Sequence, residues 1–579
     1  MNELRTLYPY IRRHGWAYVL GILSLALTSG SQILIPQFLR IAIDLISSGR
    51  FELRRIAVLM AGLLAVSLAI AAGRFGWRYF INGSAMKIER ELRARLFQKF
   101  SELQPSFYDR SQIGDLMARS TNDMNAIRMA ASMAIVALFD GLFMTIAILV
   151  ILFAQQPGIA AIAIIPLPLI TMMTLFLGRF VRTLFRRVQE GFSDLSHQTQ
   201  EIFSGVRIVK SFVKELYFIG LFRAANEEYQ TRNMRLVRIW GLFFPVVTFL
   251  AGVMTLILLR YGGEAVIMGN LSAGEFVATL SYLEMLIWPM LGAGFTVNLL
   301  QRGAASLARV NAILNEEPEI QSPSHAVTRM PSTAVSLRGL TYSYTRADKP
   351  ALRQISLDVP EGSILGILGR TGSGKSTLLR LLPRLQNPPR GTVFIGGVDV
   401  LDYDLHTLRS AFGIVPQDTF LFSDTIRANI AFALDEPDES FIRHVADVST
   451  ISRDVRILPN GWDTQVGERG VTLSGGQKQR VAISRALAKD PEILVFDDAL
   501  SAVDTETEEL ILNQLLTERA GRTSIIVSHR VSTLATADRV AVLDQGRLIQ
   551  YGSHEELLRE DGFYREVANL QQLARSQTP

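Results

Sequence analysis

Cysteine is absent from the 579 residues, which excludes disulfides and every cysteine-ligated metal or cluster. A small-residue cleavage site is also absent after the basic residues Arg5, Arg12 and Arg13 and the apolar run that follows them. More apolar runs come later, so the first reads as a retained helix rather than a removable signal. A free basic tract is missing too. The formal net charge is +5, but the arginines crowd beside apolar runs, where membrane orientation accounts for them and nucleic-acid binding does not. What is abundant is apolar surface. Hydrophobic residues make up 49%, and the mean hydropathy of +0.23 is high for a wholly soluble chain. The length implies several domains rather than one core.

Six runs are long enough for a membrane helix of about 20 residues: roughly 16–38, 56–81, 131–154, 157–178, 240–262 and 272–297. The third and fourth are joined by the tight turn Gln155-Gln156-Pro157-Gly158, the fifth and sixth by a short turn ending at Gly269-Asn270. Between the second and third, and between the fourth and fifth, lie long polar segments, 82–130 and 179–239. They carry 8 and 11 Lys/Arg, against none in 155–158. The positive-inside rule puts these segments and the N-terminus in the cytoplasm. Arg40, Arg50, Arg54 and Arg55, in the first outer loop, run against the rule, and Asp44 and Glu52 offset them only in part. Val181, Leu184, Phe185 and Val188 recur at helical spacing, so the long segments are expected to be helical extensions of the spans.

Residues 315–334 hold three prolines and no apolar period, which marks a linker between a membrane domain, 1–314, and a second domain, 335–579. In the second domain short β-rich runs (Ile364–Leu368, Val393–Ile395, Ile493–Phe496, Ser524–Val527, Val540–Leu543) alternate with helical stretches, an α/β pattern. Ile364–Leu368 runs straight into Gly369-Arg370-Thr371-Gly372-Ser373-Gly374-Lys375-Ser376, and a helix is expected over Ser376–Leu382. Strand, glycine-rich loop and helix form a P-loop. Its backbone N–H groups wrap phosphates, Lys375 reaches the β- and γ-phosphates, and Ser376 reaches Mg²⁺. Asp497 ends the apolar strand Ile493–Phe496 and is placed to hold Mg²⁺, directly or through water.

With Leu473-Ser474-Gly475-Gly476-Gln477 standing between these two segments, the chain resembles the ABC transporter family, specifically exporters that fuse a membrane half to an ATPase half. The resemblance covers nearly the whole chain and implies ATP and Mg²⁺ as cofactors. It implies that Tyr344 stacks on adenine, that the loop from Gly369 through Ser376 and Thr377 holds the phosphates, and that Gln417 in Val-Pro-Gln-Asp touches Mg²⁺ and the attacking water. It makes Ser474–Gln477 the signature that contacts ATP bound to the opposite subunit, Ser501-Ala-Val-Asp504 the D-loop, and His529 the switch histidine. Val466-Gly-Glu-Arg-Gly470 resembles the segment that exporters set against membrane-domain loops. Phe107-Tyr-Asp-Arg with Gly114-Asp115-Leu and Arg119–Asp123 resembles the first coupling segment, and Glu201–Phe212 the second. The implied fold is a six-helix membrane domain followed by an α/β P-loop ABC ATPase domain.

Position 498, where the family carries a catalytic Glu, is Asp. The charge is kept but the carboxylate is withdrawn by a methylene, so slow hydrolysis is expected at the site built on Lys375, Asp497 and Asp498. Bacterial heterodimeric exporters pair an Asp-bearing subunit with a Glu-bearing one, which favours a heterodimer over a homodimer. The implied activity is ATP-driven export of hydrophobic or amphipathic small molecules, drugs or lipids, across the bacterial cytoplasmic membrane. Alternatives are a lipid or peptide translocator of the same architecture and a mainly regulatory ATP-binding subunit. For the transport path, Asp140, Glu284 and Arg74 are ionisable groups within spans, with interhelical pairing as the rival role. Phe276, Tyr282, Met285, Trp288, Met290 and Phe295 of the sixth run either line an adaptable cavity or meet lipid.

Overall fold

The computed structural model describes residues 2–49, 53–344, 349–467, 470 and 472–576. The chain divides into two compact units. One comprises residues up to Ser101 together with Gln112–Glu316; the other comprises Glu102–Ser111 together with Glu317 onwards.

The first unit is all helix. Among the described residues, six helical stretches are long and apolar enough to cross a membrane: α1 (Gly15–Ser47), α2 (Leu53–Glu102), α3 (Ile113–Gln155), α4 (Pro157–Ser204), α5 (Glu215–Ile267) and α6 (Ala273–Leu314). Each matches one apolar run, and the periodic residues Val181–Val188 lie in the helical continuation of the fourth. The stretch α4 is interrupted at Ile164-Ile165, because Pro166 has no N–H to donate to the preceding turn. Ser272 opens α6 with a capping box to Glu275, and Asp44 of α1 accepts from both Gly274 N (2.9 Å) and Ser272 Oγ (3.0 Å). Arg40 then lies 2.7 Å from Glu275 and 3.9 Å from Asp44, so this outer-loop arginine is neutralised locally.

Three polar side chains inside the unit pair across helices, as burial demands. Tyr282 is fully buried and donates to Ile33 O (2.9 Å) while accepting from Gln37 Nε2 (3.0 Å); it is a core residue, not a cavity wall. Asp140 accepts from Ser29 Oγ (2.5 Å), which ties α3 to α1 and gives this carboxylate the pairing role. Asp123 is buried and takes Ser306 Oγ (2.9 Å) and two donors of Arg309, joining α3 to α6.

The second unit holds two sheets. Strands β1 (Val335–Tyr342), β2 (Leu352–Val359), β4 (Val393–Ile395) and β5 (Val398–Asp399) form an antiparallel sheet in the order β2-β1-β4-β5. Strands β3 (Ile364–Gly369), β6 (Phe412–Val415), β7 (Ile493–Asp497), β8 (Thr523–Val527), β9 (Arg539–Asp544) and β10 (Arg547–Gly552) form the larger sheet in the order β10-β9-β3-β8-β7-β6. It is parallel except for β10 at one edge. Strands β3, β7 and β8 are buried almost throughout, which is why they read as unbroken apolar runs. Residues 317–334 contain no helix, but they are tied down: Val327 N donates to Asp402 O (2.8 Å) and Asn387 Nδ2 to Glu319 O (3.0 Å). Within this unit Glu319 N also donates to Gln104 Oε1 (3.2 Å), and Phe107 is buried.

Candidate nucleotide site

In an open parallel sheet, loops at the carboxyl ends of neighbouring strands converge. Here β3 leads into the P-loop, β6 into Gln417, β7 ends at Asp497 and continues to Asp498, and β8 leads to His529. Because β3, β8, β7 and β6 are consecutive in the sheet, four segments far apart in sequence reach one edge. A cavity of about 310 Å³ there is lined by Tyr344, Ala351, Thr371–Thr377, Gln417, Asp497, Asp498 and His529. Gly369 and Arg370 flank it through the carbonyls that receive Lys375 Nζ, at 2.7 and 2.9 Å.

The loop needs glycine where its backbone turns. Gly372 and Gly374 have φ of +80° and +100°, and a Cβ at Gly374 would lie 2.6 Å from Leu352 Cδ2 and 2.8 Å from Ala351 O. Lys375 opens helix α7 (Lys375–Leu381) and is only 8% exposed. Burial pulls its ammonium below the ordinary lysine range, against the pull of Asp497 and Asp498, which favours the charged form. Burial likewise pushes Asp497 above the usual carboxylate range, with Asp498 adding to the rise and Ser376 and Lys375 opposing it. Buried Ser373 Oγ has no hydrogen-bond partner among the described residues, though it sits in the cradle. A phosphate would satisfy it and the lysine's third donor. The hydroxyl of Ser376, the carboxylate of Asp497 and the amide of Gln417 are hard oxygen donors on one cavity, a set that suits Mg²⁺ completed by waters and phosphates. Among the described residues no cluster of three His, Asp or Glu offers an all-protein metal cage, which is the ordinary case for nucleotide-bound Mg²⁺.

Tyr344 follows β1, donates to or accepts from Thr377 Oγ1 at 3.0 Å, and packs edge-on against Tyr342. Asp498 stands at φ +52°, with its N–H on Val527 O (3.1 Å) and its carbonyl accepting Ser501 Oγ (2.9 Å).

The signature lies elsewhere: none of Ser474–Gln477 lines this cavity. Ser474 is the N-cap of helix α8 (Gly475–Ala488), and with Gln477 it forms a reciprocal capping box (Gln477 N to Ser474 Oγ 3.3 Å, Ser474 N to Gln477 Oε1 3.0 Å). Ser474 and Gly475 are exposed, so the positive end of α8 is open to an anion from outside. Asp504 caps helix α9 (Thr505–Glu518) by accepting from Thr507 N (2.9 Å), so its side chain is engaged in local structure. Glu468 and Arg469 of the Val466–Gly470 segment fall outside the described residues.

Three residues that pattern reading passed over knit these segments together. Gln479 of α8 accepts from Ala502 N (3.0 Å) and donates to Ser501 Oγ (3.3 Å), linking the signature helix to the loop after Asp498. Gln571, on helix α10 (Phe563–Ser576), donates from Nε2 to His529 O (2.7 Å) and accepts at Oε1 from Val531 N (2.9 Å). One amide thus brackets His529. Buried Glu508 of α9 accepts from Arg530 and from Thr533 in the short helix that follows it. Glutamines on amphipathic helices carry no spacing signal, so only their partners reveal them.

Comparison with known proteins agrees with this geometry. Residues 18–290 match the family model described as ABC transporter transmembrane region, and residues 352–501 the one described as ABC transporter. The chain is 35% identical to the multidrug resistance-like ATP-binding protein MdlA of Escherichia coli (strain K12), over 97% of this chain and 96% of that one. It is 34% identical to a probable multidrug resistance ABC transporter ATP-binding/permease protein of Bacillus subtilis (strain 168), over 98% of each. It is 32% identical to an ATP-dependent lipid A-core flippase of Chromohalobacter salexigens, over 98% and 97%. The solved structure of a bacterial Atm1-family ABC exporter with ATP bound superposes with a TM-score of 0.79 at 29% identity, over 97% of this chain and 99% of that one. With six spans, a P-loop ATPase and relatives aligned end to end, the chain belongs to the ABC transporter family as a multi-pass exporter that couples ATP hydrolysis in a cytoplasmic domain to transport.

Proposed function

We propose that this chain is one half of a dimeric exporter of hydrophobic or amphipathic small molecules, and that it is the subunit whose own P-loop forms the hydrolysis-poor site of a heterodimer. The observation that carries the reading is Asp498: it follows Asp497 on the cavity wall, where its carboxylate is one methylene shorter than a glutamate's. Residues 1–314 are the membrane domain, 315–334 the linker and 335–579 the ATPase domain. The relatives named for multidrug resistance support drug-like cargo, and the flippase relative supports lipid as a second cargo class.

The dimer follows from chemistry left open in one chain. Lys375, Ser376 and Asp497 would hold the phosphates and Mg²⁺, which when bound would neutralise phosphate charge. The exposed N-terminus of α8 is suited to the γ-phosphate of ATP held by the other subunit. The second coupling segment is open as well: Phe203, Ile208 and Phe212 are 71%, 65% and 70% exposed, an apolar strip that a partner would cover. Gln417 and His529 position the attacking water and the γ-phosphate, and ATP-driven closure switches the membrane helices from inward- to outward-facing.

Weighing the complex intact after isolation from its native membrane tests the assembly. Two different chains of similar mass are expected. A mass of twice 64.3 kDa would instead establish a homodimer with two Asp498 sites. The bracket on His529 gives a second test. Gln571→Met keeps the side chain's length but removes both hydrogen bonds. It should lower ATP turnover about tenfold with little change in KM, an order that two lost hydrogen bonds of about 1 kcal/mol each can supply. In a His529→Ala background the same change should have almost no further effect, because both act through one group.

A further inference from the structure

The first unit contains a cavity of about 660 Å³ whose walls come from α4, α5 and α6, a volume in the ordinary range for small-molecule sites. Its chemistry is one-sided. Trp240, Phe243 and Phe295 give aromatic surface, Asn298 and Gln301 give amides, and among the described residues Arg182 gives the only charged side chain on the lining, with no carboxylate beside it. Phe295, Asn298 and Gln301 stand three residues apart and so share one face of α6. Arg182 is exposed and makes no ion pair or hydrogen bond among the described residues. The carboxylates suited to draw a cation are elsewhere: Asp140 is held by Ser29, and neither it nor Glu284 is on this wall.

Position adds to charge. Arg182 follows the end of the fourth apolar run, and Trp240 begins the fifth. Both belong to the cytoplasmic boundary of the membrane, where an amphiphile keeps its head near water and its body in apolar surroundings. The geometry points to a binding site for amphipathic anions, molecules with an aromatic or aliphatic body and a single carboxylate, sulfonate or phosphate head. The body packs on Trp240, Phe243 and Phe295. The head meets the Arg182 guanidinium, whose fork fits a planar or tetrahedral oxyanion. Asn298 and Gln301 donate to the remaining oxygens. This deepens the export reading by assigning the sign of the cargo's charge, and it rests on that reading only for the step from binding to transport.

The test uses the assembled full-length transporter in zwitterionic lipid discs and three probes with one shared body: pyrene-1-sulfonate, pyrenemethanol and pyrenemethylammonium. Binding is read by energy transfer from tryptophan to pyrene, after subtraction of empty discs. The sulfonate should bind more tightly than the ammonium probe. Arg182→Gln should raise the sulfonate's half-saturating concentration at least tenfold and leave the alcohol's within about twofold; Arg182→Lys should restore part of the loss. Adding phosphatidylglycerol to the discs separates two sources of the head group. Competition with the sulfonate assigns the site to a lipid phosphate, and no competition assigns it to soluble amphiphiles. Equal affinity for the three probes, or equal weakening of all three by Arg182→Gln, overturns the proposal. ATP-driven uptake of the sulfonate into inverted vesicles is measured beside it; binding without uptake would remove the export reading and leave the site.

Discussion

Asp498→Glu should raise ATP turnover at the site built on this chain by ten- to a hundredfold. The measurement is hydrolysis by the assembled transporter with any partner's own site silenced, so that the remaining rate reports on this P-loop. The backbone at this position is fixed: the N–H of Asp498 is on Val527 O, and its carbonyl receives Ser501 Oγ. The side chain cannot gain reach by moving its Cα. One added C–C bond extends the carboxylate by about 1.5 Å, and a displacement of about 1 Å at a reacting group can change rates about a hundredfold. A second effect pulls the other way. At φ +52° the residue is left-handed, a region that Asp tolerates better than most residues because its short polar side chain can hydrogen-bond locally. Glu loses part of that tolerance, and left-handed backbone costs an ordinary residue roughly 1–2 kcal/mol. The variant should therefore be faster and slightly less stable, by a few degrees at most in the melting temperature of the ATPase domain. An unchanged rate would mean that carboxylate reach does not limit the site, and the hydrolysis-poor reading would fall with it.

That left-handed φ was invisible in the sequence, where Asp497-Asp498 is simply a pair of acids after an apolar strand. What was legible followed from period and burial. The spans stand out because lipid requires about 20 apolar residues in a row. The strands β3, β4, β7, β8 and β9 stand out because both faces of the central ones are covered. Missed strands have a physical reason. In β1 and β2 buried residues alternate with exposed ones, and their registers are broken by irregularities between Leu337 and Tyr342, so neither gives a clean run. Strand β6 is only four residues long. The P-loop was legible because glycine at φ of +80° and +100° is demanded by the backbone itself. The bracket of Gln571 on His529 was not, since 42 residues of sequence separate two groups that meet only after β9, β10 and the last helix have folded back. The arginine of the membrane cavity was hidden for a related reason. Arg182 is one of 11 basic residues in 179–239, and nothing in its neighbours distinguishes it from those that serve orientation.

Lys375→Met should abolish measurable hydrolysis at this site while leaving the nucleotide-free ATPase domain as stable as before, or more so. The two halves of this expectation have one cause. Lys375 is 8% exposed, and its ammonium is held by two backbone carbonyls, with Asp497 and Asp498 contributing only at longer range. Burial depresses its protonation below that of a free lysine, so in the nucleotide-free protein the charged form costs stability. The sign follows. A lysine whose folded pKa lies below its unfolded value destabilises the fold wherever the unfolded chain would be protonated, and that penalty fades as pH rises through the window between the two values. Methionine fills the same volume without the charge, so the melting temperature should hold or rise at neutral pH, and the difference from the natural protein should shrink toward pH 10. Asp497 limits the gain, because its carboxylate, already pushed up by burial, loses the lysine that steadies it. With ATP and Mg²⁺ the order reverses. The natural protein should gain stability by mass action from a ligand whose phosphates would meet the ammonium, and the variant should lose most of that gain. Two melting curves for each protein, with and without Mg-ATP, together with the rate of phosphate release, check all of this. A variant that melts well below the natural protein without nucleotide would show that Lys375 holds the loop together as well as the phosphates.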